Sequence, residues 1–84
     1  MNNDSIVGQS LHLREAINQA INAYYEQLEG EPASNVYDMV ISQIEPPLLE
    51  ATLAHTGNNQ PKAAEVLGLN RGTLRKKLKQ YDLI

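Results

Sequence analysis

The chain has 84 residues, which is enough for one small domain and too short for two. It contains no Cys, so disulfide bonds, thiolate metal sites and thiol nucleophiles are excluded, and a reducing compartment is expected. No apolar run approaches the length of about 18 residues that a membrane span requires, and the first ten residues lack the features of a signal peptide.

The net charge of −3 is unevenly distributed along the chain. Residues 1–58 contain one base and eight acids, which gives −7, whereas residues 59–84 contain six bases and two acids, which gives +4. A polyanion that meets the second part of the chain responds to the local positive charge more than to the total. The pattern therefore favours a basic surface near the C-terminus, although a solvated helix face would have the same composition.

The first half of the chain predicts two amphipathic helices after a loose terminus over residues 1–10. The first helix should run from about Leu11 to Leu28 and stop at Gly30 and Pro32. The second should begin near Ser34 and Asn35 and end at Gly57. The pair Pro46-Pro47 would either divide it or kink one long helix, and the apolar pattern that continues in phase across the prolines favours the kinked helix.

The second half predicts two short helices separated by a tight turn. Asn59 should cap the third helix, and because Pro61 has no N–H, the Asn59 side chain should bond the N–H of Lys62. Gly68 suits the left-handed conformation that ends the helix, and Asn70 should cap a fourth helix that runs to about Tyr81. With the small residues of the third helix and the basic residues of the fourth, this layout is typical of a helix-turn-helix.

The stretch of residues 70–78, which reads NRGTLRKKL, closely resembles the bacterial Fis family, the factor for inversion stimulation. Upstream, residues 45–50 (EPPLLE) resemble its Pro-kinked second helix, and residues 24–28 (YYEQL) the end of its first. The resemblance spans about residues 13–83. The terminal motif alone is shared with bacterial enhancer-binding activators, so a dimerisation and DNA-binding module of such an activator is the alternative to a free-standing nucleoid protein.

The resemblance implies an all-α fold with four helices per subunit in an intertwined homodimer. It divides the chain into a flexible arm over residues 1–12, dimerisation helices over 13–57 and a helix-turn-helix unit over 58–84. It implies a cytoplasmic, nucleoid-associated protein that binds and bends DNA in transcription control. The dimer core would come from apolar residues of the first two helices, namely Ile17, Ile21, Val40, Ile41, Ile44 and Leu48.

The resemblance also assigns the residues that would contact double-stranded DNA. Asn70 and Arg71 match the base-contacting pair, with Arg71 as the guanine reader, whereas Asn59, Thr73 and Lys76 match phosphate contacts. Lys77 matches another basic DNA contact, and Arg75 matches a residue that adapts to variable bases. With further residues of the two short helices, the full candidate set is Asn59, Gln60, Lys62, Asn70, Arg71, Thr73, Arg75, Lys76, Lys77 and Lys79. Three departures from the family pattern put flanking-DNA contacts in doubt: Gly57 for Arg, Pro61 for Thr and Gln80 for Lys.

Other activities find little support in the residues. Two His residues, no Cys and scattered acids offer no nucleophile–base pair and no metal-ligand spacing, so neither an enzyme nor a cofactor is expected. Further protein partners could be RNA polymerase or a recombinase, and the sequence does not choose between them. Residues 1–12 hold one short strand candidate, around Ile6 and Val7, so a β-hairpin arm and stimulation of DNA inversion are not expected.

Overall fold

The computed structural model describes the backbone of residues 3–84 and the side chains from residue 12 onward. It contains four helices over this range: α1 (Asn3–Gln27), α2 (Val36–His55), α3 (Gln60–Leu67) and α4 (Arg71–Gln80). Residues 3–84 contain no strand, so the all-α prediction with four helices is confirmed.

Helix α1 starts earlier than the sequence suggests. Its backbone is helical from Asn3, so the prediction that this helix begins near Leu11 is wrong, and the strand candidate around Ile6 and Val7 is helical as well. Residues 1–2 lie outside the described residues. No proline interrupts this segment, and one glycine costs a helix only about 1 kcal/mol. Whether the arm over residues 1–12 is flexible is a separate property and stays a prediction.

Helix α2 passes through Pro46 and Pro47 without a break, so the prediction of one long helix is confirmed. Its N-cap is Asn35, as predicted, but the backbone there is left-handed (φ 56°) and the side chain forms no capping hydrogen bond. At the other end the chain turns through Gly57 (φ 64°). The N–H of Asn58 donates to the carbonyl of Leu53 at 2.8 Å, so the last turn of the helix is closed by its own backbone.

The chain forms two structural units, residues 1–34 and residues 35–84. The second unit contains α2, α3 and α4 and has a hydrophobic core of its own. The core consists of Leu49, Leu53, Ala63, Ala64, Leu74 and Leu78, each less than one-tenth exposed. Leu67, Tyr81 and Leu83 pack against it.

The core shows that α2 has two apolar faces, of which sequence analysis identified one. Leu49 and Leu53 face the core, whereas the predicted stripe of Val40, Ile41, Ile44 and Leu48, here called the α2 apolar face, is open. The first three are half-buried and Leu48 is 51% exposed. The second face was missed because the predicted stripe alone accounts for the helical period of this segment. Leu49 and Leu53 are only one turn apart, which is too short to stand out as a separate face.

Two further findings concern what the described residues do not contain. None of the described helices is both long enough and apolar enough to cross a membrane. Within the described residues, no three His, Asp or Glu side chains cluster in a way that could hold a metal ion.

Candidate nucleic-acid interface

The turn between α3 and α4 fixes the angle at which the two helices meet. Gly68 adopts the left-handed conformation (φ 73°), which a residue without a Cβ adopts at little cost. The Leu69 N–H donates to the carbonyl of Ala64 at 2.9 Å, and the Gly68 N–H donates to the carbonyl of Glu65 at 3.1 Å. Ala63 and Ala64 are buried in the core that α3 shares with α2 and α4, where larger side chains would hold the helices apart. The predicted helix-turn-helix is therefore present.

Two asparagines cap the helices of this unit. The Asn59 side-chain oxygen accepts the Lys62 N–H at 3.0 Å, which confirms the predicted bond around Pro61. The Asn70 side-chain oxygen accepts the Gly72 N–H at 2.7 Å. A Cβ at Gly72 would lie 3.1 Å from that oxygen, so glycine leaves room for the cap. Both asparagines are exposed, and their amide NH₂ groups are donors at the start of a helix, where the dipole favours a phosphate.

Helix α4 has one buried seam and a broad solvent-exposed surface. Leu74 and Leu78 are 1% and 0% exposed, respectively, and dock the helix on the core. The exposed side chains include most of the candidate DNA contacts of this helix: Arg71, Thr73, Arg75, Lys76 and Lys79. This surface, here called the basic face, presents four cations and a hydroxyl to solvent. Arginine can bond a guanine edge with two parallel hydrogen bonds, whereas lysine suits phosphates.

An open groove of about 230 Å³ lies along one edge of the basic face. Arg71 and Arg75 line it from α4, and Gln60 lines it from α3. The structure thus brings Gln60 beside the two arginines, although the three residues are separated in sequence. Lys62 does not line this groove. Its ammonium lies 3.8 Å from the Glu65 carboxylate on the surface of its own helix.

Lys77 is bound within the protein on the opposite edge of α4. Its ammonium donates to the Glu45 carboxylate at 2.7 Å, and the Tyr81 hydroxyl donates to the other oxygen of that carboxylate at 2.6 Å. The bond from Lys77 and then the bond from Tyr81 lower the pKa of Glu45 below its usual range. The bond to Glu45 raises the pKa of Tyr81 to about 12.

This network was missed by sequence analysis, which assigned Lys77 to DNA and gave Glu45 no role. Helical spacing predicts contacts between residues three or four positions apart. Glu45 and Lys77 belong to different helices, α2 and α4, so no local spacing pairs them. The core that Leu49 and Leu53 of α2 share with residues of α3 and α4 was also not predicted.

The candidate dimer residues lie on the open faces of the two long helices. Ile17 and Ile21 are half-buried on α1, one and two turns after Leu13, which is 60% exposed. The remaining candidates form the α2 apolar face. Among the described side chains from His12 to Ser34, none is buried.

Comparison with known proteins assigns the family. A profile described as "Bacterial regulatory protein, Fis family" matches residues 40–81. A protein of Pseudomonas aeruginosa named Fis-like DNA-binding protein is 56% identical over 72 residues, which cover 86% of this chain and 69% of the relative. The chain belongs to the Fis family. The residues matched by the Fis profile contain the α2 apolar face, the buried core, both capped turns and the basic face of α4.

The family assignment confirms the resemblance and agrees with the geometry of the C-terminal unit. The profile describes bacterial regulatory proteins, and the P. aeruginosa relative is named as a DNA-binding protein. The match to the P. aeruginosa protein extends well beyond the 42 residues of the profile, so it includes more of the chain than the helix-turn-helix motif.

Proposed function

We propose that this chain is a homodimeric DNA-binding and DNA-bending protein of the bacterial cytoplasm that acts in transcription regulation and nucleoid organisation. The observation that carries the proposal is the basic face of α4, which combines exposed cations with the capped N-terminus of the same helix. The name of the P. aeruginosa relative, which describes a DNA-binding protein, supports it.

The proposed contacts divide into base readers and phosphate binders. Arg71 reads guanine from the N-terminal turn of α4 with Asn70 beside it, and Gln60 and Arg75 border the same groove. The phosphate binders are Asn59, Lys62, Thr73, Lys76 and Lys79, all of them exposed. Phosphate contacts hold the helix in register on the duplex, while the arginines provide the sequence preference.

The homodimer is proposed because apolar side chains on the α2 apolar face and on α1 are incompletely covered in one chain. A second copy would cover them with the same surface, as closed two-fold dimers do. Two helix-turn-helix units would then bind the same duplex. Bending would increase the number of phosphates within reach, and sequences that deform easily would be preferred.

The alternative, a DNA-binding module of an enhancer-binding activator, requires only the C-terminal unit. The similarity to the P. aeruginosa protein extends over 72 residues and favours the free-standing protein.

A gel-shift experiment with circularly permuted duplexes tests binding and bending together. We expect retarded bands whose mobility depends on the position of the site within the fragment, which is the signature of a bend. Bands with constant mobility would contradict bending and leave binding intact. The absence of any band at about 50 mM salt, where phosphate contacts are strong, would contradict DNA binding itself.

A further inference from the structure

The Glu45 carboxylate uses both of its oxygens to hold α4. One oxygen accepts from the Lys77 ammonium at 2.7 Å and the other from the Tyr81 hydroxyl at 2.6 Å. Lys77 and Tyr81 are four residues apart, so both side chains lie on one side of the helix. We refer to these three residues as the Glu45 clamp.

The clamp is sheltered from solvent more than the other ion pair found among the described side chains. The Glu45 and Lys77 side chains are 21% and 29% exposed, whereas Lys62 and Glu65 are 61% and 74% exposed and 3.8 Å apart. A pair that is short and partly removed from water is screened less by salt than a surface pair. Lys77 is therefore held to α2 more firmly than a typical surface lysine is held to a neighbour.

The next residue provides a contrast on the same helix. Lys76 is exposed, and within the described side chains it forms no ion pair. Adjacent residues of a helix point about 100° apart, so Lys76 extends into solvent while Lys77 extends toward Glu45 of α2. One of the two is available to phosphates, and the other already has an anion as partner.

The charge states of the clamp favour its persistence at neutral pH. The Lys77 and Tyr81 bonds lower the pKa of Glu45, so its carboxylate is ionised. The pKa of Tyr81 is raised to about 12, with Glu45 as the main cause and Asp38 as a further negative charge, so the hydroxyl keeps its proton. Each donor therefore retains a charged acceptor.

We propose that Glu45 limits the DNA affinity of this protein by withholding Lys77 from the phosphates. This rests on the proposed DNA-binding function and differs from the role as a DNA contact that the family resemblance implies for Lys77. Glu45 is a positioning residue: it decides which cations of α4 face the duplex. Because each phosphate that is neutralised steepens the dependence of affinity on salt, the clamp also reduces that slope.

The experiment measures the affinity of the full-length protein for one fixed duplex at several salt concentrations. Glu45→Gln removes the charge and keeps the size of the side chain. We expect it to bind at least about threefold more tightly and to steepen the slope by about 0.9 for each subunit on the duplex. Adding Lys77→Met should return affinity and slope to the values of the unmodified protein.

Two matched variants distinguish this account from a general loss of structure. Lys76→Met removes the neighbouring exposed cation and should reduce the slope by about 0.9 per subunit. Tyr81→Phe breaks one hydrogen bond of the clamp, keeps the ion pair and should leave the slope unchanged. Thermal unfolding is recorded for each variant. If Glu45→Gln is unfolded, the Lys77 ammonium resonance of the unmodified protein is followed by NMR instead, and it should not shift when DNA is added.

Three results would overturn the proposal. One is a Glu45→Gln variant with the affinity and slope of the unmodified protein. Another is a double variant, Glu45→Gln with Lys77→Met, whose salt slope falls below that of the unmodified protein by as much as the slope of Lys76→Met does. Lys77 would then already contact phosphate in the unmodified protein. A shift of the Lys77 ammonium resonance on addition of DNA would have the same meaning. Failure of the unmodified protein to bind DNA would overturn the proposed function and this proposal with it, whereas the first two results leave the proposed function intact.

Discussion

The C-terminal unit and α1 differ in how many stabilising contacts each forms within itself. In the unit of residues 35–84, six apolar side chains are buried and both short helices begin at a side-chain cap. Between His12 and Ser34 the structure buries no side chain, yet the sequence there has a continuous apolar stripe. A helix with a stripe of this kind obtains most of its stability by packing against another surface. The C-terminal unit therefore has a core of its own, whereas the apolar stripe of α1 is the surface that the proposed homodimer would cover.

Helix α2 belongs to both categories, because its two apolar faces serve different purposes. Leu49 and Leu53 complete the core of the helix-turn-helix unit, while the α2 apolar face is left open. A single helix would thereby connect the proposed dimer interface directly to the DNA-binding unit. The acidic charge of residues 1–58 and the basic charge of residues 59–84 follow the same division between the two proposed roles.

The largest expected effect is that of a charge on the α2 apolar face. We expect Ile44→Asp to abolish the homodimer and unfold much of the protein, because a buried unpaired charge costs several kcal/mol. Light scattering and circular dichroism at micromolar concentration measure both effects. Gln43→Asp, on the exposed neighbour, is the control and should keep the assembly. A folded monomer of the unmodified protein would contradict the need for a partner.

The next effect separates base contacts from phosphate contacts on the basic face. Arg71→Ala should cost about 1–3 kcal/mol of binding free energy on a preferred site and much less on random DNA, because a base contact is lost. Lys76→Ala should weaken binding to both sequences by the same factor, because phosphates carry no sequence information. Affinities for the two duplexes check this. Equal losses by Arg71→Ala on both would remove Arg71 as the base reader.

A smaller effect separates helix ends that are capped by a side chain from one that is not. Asn59→Ala should lower the free energy of unfolding by about 0.5–2 kcal/mol, because the Lys62 N–H loses its acceptor. Asn35→Gly should change it by less than about 0.5 kcal/mol, because the Asn35 side chain forms no capping bond and glycine accepts the left-handed backbone. Chemical denaturation measures both variants. Similar losses for the two would show that local capping does not distinguish these helices.

The smallest effect is the pH dependence of the Glu45 clamp. The pKa of Glu45 is lower in the folded protein than its ordinary value of 4.5, so the folded state binds protons less readily than the unfolded state. The stability that Glu45 contributes is therefore present above that value and is lost as the pH falls through the folded pKa. The difference in melting temperature between the unmodified protein and Glu45→Gln should stay constant from about pH 7 to about pH 5 and shrink as the pH falls below 4.5 toward the folded pKa. A difference that does not shrink below that value would contradict the shift.

The features that could be predicted from sequence are those set by neighbouring residues. The helix-turn-helix, the Asn59 cap on Lys62 and the left-handed Gly68 each follow from residue types within one turn of the chain. The passage of α2 through Pro46 and Pro47 was also predicted, from the phase of the apolar pattern on both sides. Local chemistry determines each of these, and the structure agrees with it.

The features that were missed depend on residues far apart in sequence or on weak local signals. The Glu45 clamp joins side chains 32 and 36 residues apart in sequence, which no local spacing pairs. The second apolar face of α2 was missed because Leu49 and Leu53 span only one turn of the helix. The early start of α1 was missed for another reason: residues 3–10 are mostly polar and lack an apolar period, but nothing in them prevents a helix. Contacts across helices require the packing itself, which periodicity does not specify.

The salt dependence of DNA binding tests the central claim most directly, because the whole chain carries a net charge of −3 and only the C-terminal region is basic. With roughly three to five phosphate contacts per subunit, each contributing about 0.9 to the logarithmic slope, affinity should fall at least about a hundredfold between 50 and 200 mM salt. Fluorescence anisotropy with a labelled duplex gives the slope. A fall of this size is the result we predict, and an affinity that stays constant over the same range would contradict DNA binding through the basic face of α4.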